Sequence, residues 1–348
     1  MSPPSPAKLA RYERQMRYEP LGEEGQRRLA SGCALICGCG ALGSVLANTL
    51  ARAGVGKLRI VDRDVLELNN LQRQVLYDER DVAQGLPKAI AARHRLLEVN
   101  SEICVEAVVA DVNAANVADL LDGVDLVLDG TDNFETRFLL NDACVQQQLP
   151  WVYGGCLGAE GQTMTIVPGR TPCLRCVVRE SPPPGTTPTC DTAGILAPIV
   201  NVVASIQACE ALKILSGRIE AIQPALLVID LWENRLRQVN LDGLREAGDC
   251  PCCARREFPW LEGGRGAQTA ILCGRNAVQL SFPGHAGLSL AALEQQLRGV
   301  GRLARNPFLL RLAVGKYELT VFPDGRTIVA GTADVAEARS LHARYVGS

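Results

Sequence analysis

The sequence predicts an α/β protein: a doubly wound, mostly parallel sheet that turns antiparallel toward one edge, followed by a small α+β unit. Three observations carry this prediction. Short apolar runs alternate with segments of helical period from Ala34 to about residue 155, the signature of a parallel sheet with crossover helices. Within the first alternation, Gly38-Cys39-Gly40-Ala41-Leu42-Gly43 joins an apolar run to a helix, and the following strand ends in Asp62. Beyond residue 155, Gln162 to Val167 and Ala225 to Leu231 read as strands without alternating helices, so the sheet is expected to continue in antiparallel fashion.

Taken in order, residues 1–10 are Pro/Ser-rich and are expected to be disordered. Arg11 to Met16 starts an ordered arm, and Glu23 to Ala30 reads as a helix leading into the first strand, Ala34 to Cys37. Ser44 to Ala53 continues at helical spacing, Gly54 closes that helix, and Lys57 to Asp62 is the second strand. Pro87 to Val99 is a helix, Ile103 to Val109 a strand, and Asn113 to Leu121 a short helix. Asp125 to Asp129 is the next strand, Phe134 to Gln147 a helix, and Pro150 to Gly155 a strand. Ser181 to Thr189, with its prolines, is expected to be a mobile crossover loop. The main unit is thus expected to span 11–258, a glycine-rich linker 259–268, and the small unit 269–348. That last unit has a hairpin, Tyr317 to Phe322 and Thr327 to Ala330, turned at Pro323-Asp324-Gly325.

The strand–glycine turn–helix–strand–acid order is that of a nucleotide-binding, Rossmann-like βαβ unit. Its glycines let backbone approach phosphate at a helix N-terminus, and Asp62 is placed to accept from ribose hydroxyls. The residues after Asp62 argue against a dehydrogenase. Beyond Asp64 comes the polar run Glu67 to Gln74, with Arg73 just past the strand's end, and then Lys88. A nicotinamide needs an apolar pocket, whereas a triphosphate needs cations and amides around developing charge. Either cation taken alone is more often a solvated surface group.

Composition narrows the class further. A chain of 348 residues can hold two domains, and its formal net charge of -2 gives no push toward nucleic acid or acidic membranes. No charged stretch and apolar core follow Met1 in the manner of a signal peptide. Gly194 to Leu215 is long and apolar enough to suggest a membrane span, but Pro198, Asn201, Gln207, Glu210 and Lys213 favour a buried or dimer-face helix. Fourteen cysteines without a secretory signal point to a reducing, cytoplasmic setting and to metal ligation or thiol chemistry.

Two CxxC knuckles, Cys173–Cys176 and Cys250–Cys253, can close a tetrahedral four-thiolate zinc site, with Cys252 as a competing ligand. Cys190 sits after the proline-rich loop at a helix start, where a thiolate is stabilised, although the adjacent Asp191 works the other way. Asp129 and Asp132 end a parallel strand on the same edge as the glycine turn. Their oxygens suit Mg²⁺ beside a triphosphate; Asp132 also reads as the N-cap of the helix from Phe134.

Together these residues resemble the ThiF/MoeB/HesA family, bacterial relatives of ubiquitin-activating enzymes. The matching pieces are Arg11 to Gln15, the GCGALG turn, Asp62-Arg63-Asp64, Asn69 to Gln74, Pro87-Lys88, Asp129 to Asn133, both knuckles, and Cys190 with Ala193-Gly194. The resemblance covers roughly 11–256; the spacing before Pro87-Lys88 is slightly longer than the commoner pattern. It implies an adenylyltransferase that uses ATP and Mg²⁺ to activate the C-terminal glycine of a small ubiquitin-like sulfur carrier ending in Gly-Gly, in thiamin or molybdenum-cofactor biosynthesis. It further implies a homodimer with a structural Zn²⁺ at Cys173, Cys176, Cys250 and Cys253. By position, Arg14, Arg73 and Lys88 would hold phosphates, Asp62 the ribose and Asp132 the Mg²⁺, and Cys190 would engage the activated carrier. Gly38, Gly40, Gly43, Asp64, Asn70, Asp129 and Asn133 complete the implied nucleotide site. The tail after Ala270 holds one cysteine, Cys273, and no rhodanese-like loop, so a separate sulfur-donor protein is expected.

Two other classes share parts of this pattern. An NAD(P) oxidoreductase would share the βαβ unit but leaves the knuckles and the Arg14/Arg73/Lys88 set unexplained. A catalytically inactive, zinc-stabilised binding protein would have no need of Arg73, Lys88 and Asp132 together.

Overall fold

A computed structural model describes residues 9–182, 190–246, 248–262, 269–272, 276–281 and 288–347. Two compact units divide the chain, Met1–Gly266 and Ala267–Ser348. The proline-rich segment beyond Pro182, most of the disordered stretch expected at the N-terminus, and Cys273 lie outside the described residues.

The first unit is mixed α/β, built on an eight-stranded sheet in the order β3-β2-β1-β4-β5-β6-β7-β8. Its strands are β1 (Cys33–Cys37), β2 (Lys57–Val61), β3 (Cys104–Val108), β4 (Leu126–Asp129), β5 (Trp151–Leu157), β6 (Glu160–Ile166), β7 (Ala225–Asp230) and β8 (Arg235–Asn240). The neighbours from β3 to β5 pair in parallel, and those from β5 to β8 antiparallel. All five residues of β1 are buried, as expected of a strand covered by helices on both faces. The chain winds from β1 out to β3 and returns to β4, which makes the gap between β1 and β4 the topological switch point where open α/β sheets bind ligands.

Helix Ala41–Ala53 packs on one face against helices Lys88–Val99 and Ala197–Leu215. The other face carries helix Phe134–Gln147 and both cysteine knuckles, in a core that includes Phe138, Trp151, Met164 and Ile166. Ala197–Leu215 is the one described helix long and apolar enough to cross a membrane. Its buried residues recur at Ile199, Val200, Val203, Ala204, Gln207, Ala208 and Ala211, one face laid on β5 and β6. Gln207 explains its own place in that face: Nε2 donates to the carbonyls of Asp129 (3.0 Å) and Val152 (3.2 Å). This is a core helix of a sheet protein, stitched to the end of β4.

Several boundaries differ from the expectation. The helix read from Gly194 begins at Ala197, because Gly194 adopts φ +77° and Ile195 bridges to Gly158. The helix read from Asn113 begins at Val117, because the Asn113 and Asn116 side chains accept from nearby backbone amides and hold a turn instead. Strand β8 has no clear sequence signal, being exposed along its whole length. Within the expected linker, the Trp260 ring lies 5.3 Å from that of Phe138 and its backbone N–H donates to Asp142, and Leu261 packs on the same core.

In the second unit β9 (Thr269–Leu272), β10 (Ala277–Leu280), β11 (Arg302–Arg305), β12 (Leu310–Val314), β13 (Tyr317–Val321) and β14 (Thr327–Ala330) form a six-stranded antiparallel sheet in the order β11-β12-β13-β14-β10-β9. The expected hairpin is β13 and β14, and helices Leu290–Gln296 and Val335–Tyr345 cover one face through Leu293, Ala338 and Leu341.

Candidate active site and cysteine cluster

At the switch point three glycines interlock. Gly38 has φ +85°, and a Cβ on Gly43 would lie 1.9 Å from the Gly38 carbonyl oxygen. A Cβ on Gly130 would lie 2.4 Å from that same oxygen. The turn after β1, the start of helix Ala41–Ala53 and the turn after β4 therefore touch through backbone alone. Gly40 is the N-cap of that helix, so its free amide ends face the sheet's C-terminal edge. Tyr77 braces the turn from behind, donating its hydroxyl to the Cys39 carbonyl at 2.7 Å.

Asp62, 8% exposed, accepts from the backbone amides of Cys39 and Asp64, each at 2.7 Å. Burial pushes its carboxyl up, and Lys88 works against that shift. Lys88 is itself buried and donates Nζ to Asp64 Oδ2 at 2.9 Å. Arg63 reaches Asp111 at 2.9 Å; burial opposes its charge, but Asp111, Asp64 and Asp132 together raise its pKa. The two strand-end acidic segments, Asp62 to Asp64 and Asp129 to Asp132, thus share one edge with Lys88 and the glycine turn.

The members of the second acidic pair have different jobs. Asp129 is fully buried and its carboxylate is taken up internally, accepting from the Thr131 amide and hydroxyl, Arg137 Nε and the Gly154 amide. Burial raises its pKa, and the Arg137 charge offsets part of that. Asp132 is exposed. It is not the helix cap: Asn133 is, its Oδ1 accepting from the Thr136 amide at 2.8 Å. Asp129 and Asn133, both expected at the nucleotide, carry bonds to the protein itself, and Asp132 is the exposed carboxylate of the pair. Asn70 is also turned inward, as half of a capping box with Glu67. Arg73, on the next turn, is half-buried and donates to the Asn69 carbonyl.

Arg14 is not among these residues. The Tyr12 ring sits over Gly54, where a Cβ would come within 2.4 Å of it, and Gln15 donates to the Ala53 carbonyl at 3.0 Å. Arg11 and Tyr12 bond Asn100 at the end of helix Lys88–Val99. The arm is thus docked at the C-terminal end of helix Ala41–Ala53, and the glycine turn lies at its N-terminal end, about 20 Å away for 13 residues. The Cys190 side chain lies outside the described residues, although the backbone there begins the short helix Cys190–Ala193.

Sequence reasoning missed Arg137. Its guanidinium is buried and donates to Asp129, to the Thr131 carbonyl (2.7 Å) and to the Gly154 carbonyl (3.0 Å), with the Tyr153 ring 5.3 Å away. It ties the turn after β4 to β5. An arginine eight residues past a strand-end aspartate was the available signal.

The four knuckle cysteines come together, Cys173 and Cys250 buried and Cys176 and Cys253 half-buried, their sulfurs all within 4.8 Å of one another. Cys173–Cys250 is 3.6 Å, Cys176–Cys253 3.4 Å and Cys173–Cys176 3.9 Å. A tetrahedral ion about 2.3 Å from each sulfur would set them roughly 3.8 Å apart, so the set fits a zinc-sized cation. Four thiolates so close would repel without one. Cys252 is not in this set.

Comparisons with known proteins agree with this geometry. Residues 12–252 match the model of the ThiF family. The chain is 43% identical to the sulfur carrier protein ThiS adenylyltransferase of Bacillus subtilis, over 97% of this chain and 99% of that one. It is 42% identical to the SAMP-activating enzyme E1 of Haloferax volcanii, over 70% of this chain and 88% of the relative. A sulfur carrier protein adenylyltransferase of Thermus thermophilus is 39% identical over 70% and 90%. Among solved structures, Escherichia coli MccB with ATP superposes with a TM-score of 0.56 at 25% identity, covering 67% of this chain and 71% of that one. The chain belongs to the ThiF family.

Proposed function

We propose that the protein adenylylates the C-terminal glycine of a small ubiquitin-like sulfur carrier, using ATP and releasing pyrophosphate, for sulfur transfer in thiamin or molybdenum-cofactor biosynthesis. The observation that carries this reading is the single edge that joins the glycine turn, the Asp64–Lys88 pair and an exposed Asp132 without a P-loop lysine motif. The full-length likeness to a ThiS adenylyltransferase supports the carrier as substrate. Those relatives give no support to an oxidoreductase or an inactive binding protein.

The chemistry needs no side-chain nucleophile. The carrier's terminal carboxylate attacks the α-phosphorus, a new P–O bond forms, and the bond to the β-phosphate oxygen breaks with pyrophosphate leaving. The protein's task is to position the reactants and stabilise the charge that moves onto the leaving group. The glycine turn would receive the phosphates on free amides, Asp62 the ribose, and Arg73 and Lys88 the β- and γ-charges. Mg²⁺, held by Asp132, would neutralise phosphate charge. Asp129 would act one step back, its salt bridge to Arg137 fixing the turn that presents Asp132.

Arg14 would serve the partner subunit of a homodimer. The arm's docking at the far end of helix Ala41–Ala53 keeps it from its own chain's edge. The cysteine cluster would hold a structural Zn²⁺, and Cys190 would engage the activated carrier as a thiol, with sulfur delivered by a separate donor protein. The described cysteines, Cys33 to Cys253, form no disulfide, which supports a reducing cytoplasm as the setting.

The test is carrier-dependent ATP–pyrophosphate exchange with a purified small protein ending in Gly-Gly. Exchange that needs the carrier's intact C-terminal glycine is expected. Pyrophosphate exchange that proceeds equally without it would reject the assignment.

A further inference from the structure

The two cysteine knuckles lie 77 residues apart in sequence, yet their sulfurs meet within bonding range of one ion. Something must set their register, and the bonds around helix Phe134–Gln147 identify it. Asn141 and Asp142 sit adjacent on that helix and are both fully buried. Asn141 Oδ1 accepts from the Leu174 amide at 2.8 Å, inside the first knuckle. Its Nδ2 donates to Cys252 Sγ at 3.2 Å, inside the second. Asp142 pairs with Arg175, a first-knuckle residue, at 3.6 Å, and Arg175 donates to the Glu257 carbonyl just past the second knuckle.

We propose that Asn141, with Asp142 beside it, is the positioning residue of the metal centre. Its carboxamide bonds one knuckle through backbone and the other through Cys252, whose sulfur accepts from Asn141 and stands outside the four-sulfur cluster, as a structural spacer and not a fifth ligand. The inference rests on the reading of the cluster as a zinc site. Bonds behind metal ligands orient them, and losing such a bond typically costs about 10- to 100-fold in metal affinity. An amide suits the task because it offers a donor and an acceptor on opposite corners, as needed by two partners of opposite kind.

The experiment uses the full chain loaded with zinc, and separately with cobalt(II). Zinc release to a chromogenic chelator is followed for wild type, Asn141→Ala, Asn141→Asp, Cys252→Ser and Cys252→Val. Asn141→Ala and Cys252→Val should release zinc about 10 to 100 times faster. Asn141→Asp keeps the acceptor for Leu174 and loses the donor, so it should fall between, and it carries the test if the alanine variant fails to fold. Cys252→Ser keeps an acceptor for Asn141; it should release zinc at the wild-type rate and leave the cobalt–thiolate spectrum unchanged. Release within twofold of wild type for Asn141→Ala, Asn141→Asp and Cys252→Val overturns the positioning role. A changed cobalt spectrum in Cys252→Ser makes Cys252 a ligand and overturns the spacer role. A wild-type chain that takes up neither metal overturns the metal reading, and the inference with it.

Discussion

The C-terminal edge of the parallel strands and the cysteine cluster are braced by the same helix, Phe134–Gln147, and they differ in what they leave free. At the first turn of that helix, Arg137 donates to Asp129 and to two carbonyls and Asn133 Oδ1 caps the Thr136 amide, while Asp132 beside them stays exposed. Two turns on, Asn141 and Asp142 are fully buried beside the cluster, in which Cys173 is 1% exposed and Cys250 3%, with Cys176 and Cys253 half-buried. An open edge has donors waiting for a ligand that comes and goes. A closed cluster has every donor aimed at one interior point, as in a structural metal site. The two should therefore fail differently when damaged, the edge losing rate and the cluster losing stability.

The largest effect is expected at Arg14, whose arm is docked away from its own chain's edge. An arginine lent across an interface is worth roughly 10³- to 10⁵-fold in phosphoryl chemistry, and Arg14→Ala should lose activity on that scale with its thermal midpoint unchanged. Mixed with Asp132→Ala and allowed to exchange subunits, it should recover about a quarter of all sites. Half the dimers would be mixed, each with one intact site. An Arg14→Ala protein that stays active marks the residue as an ordinary surface cation. A dead one that mixing does not rescue, despite proven exchange, assigns the arginine to its own chain.

Asp132→Ala comes next. It should lower pyrophosphate exchange by about 10²- to 10³-fold, the usual scale for removing one group that stabilises transition-state charge, while thermal unfolding stays at the wild-type midpoint. Near-normal exchange would remove Asp132 from the open edge. Cys250→Ala should do the reverse: metal content falls from about one zinc per chain, and stability drops by several kcal/mol because metal binding is coupled to folding. Its affinity for ATP, measured on the folded fraction, should move little. A zinc-free preparation that is folded and active would break the comparison on the cluster's side.

Much of the open edge was legible in the sequence because its parts are local. A glycine turn, a strand-end aspartate and a CxxC knuckle each declare themselves within a few residues. The features that stayed hidden depend on direction or distance. Nothing in the run from Phe134 to Phe138 says that Arg137 turns back to Asp129 while Asp132 turns out. The Asn141–Cys252 bond spans 111 residues, and the docking of Trp260 on Phe138 made a stretch next to glycines into core. Strand β8 is exposed on both faces and so lacks the alternation that marks a half-buried strand. The arm from Arg11 to Gln15 is expected only to be ordered; its docking rests on the buried Tyr12 ring over Gly54 and on bonds to two helix ends, all distant in sequence.

The smallest effect falls next door to Asp132, and it sharpens the comparison most. Asn133 and Asp132 are sequence neighbours at the same edge, and the resemblance placed both at the nucleotide. Asn133 has extended backbone (φ −134°, ψ 147°) and its Oδ1 caps the Thr136 amide, so its side chain belongs to the helix. Replacing an N-cap asparagine by alanine costs about 1 kcal/mol, which in a unit of this size lowers the melting midpoint by about 2 to 4 °C. Asn133→Ala should show that loss, with kcat/KM for ATP falling less than tenfold. Asn133→Asp keeps the capping oxygen and places negative charge at a helix N-terminus, so it should recover the midpoint. Asp132→Ala should show the opposite pattern, full stability and lost rate. Two adjacent residues would then separate the two kinds of damage within one turn of chain. If Asn133→Ala instead matches Asp132→Ala in rate and keeps its melting midpoint, the cap is incidental and Asn133 is a ligand-facing member of the open edge.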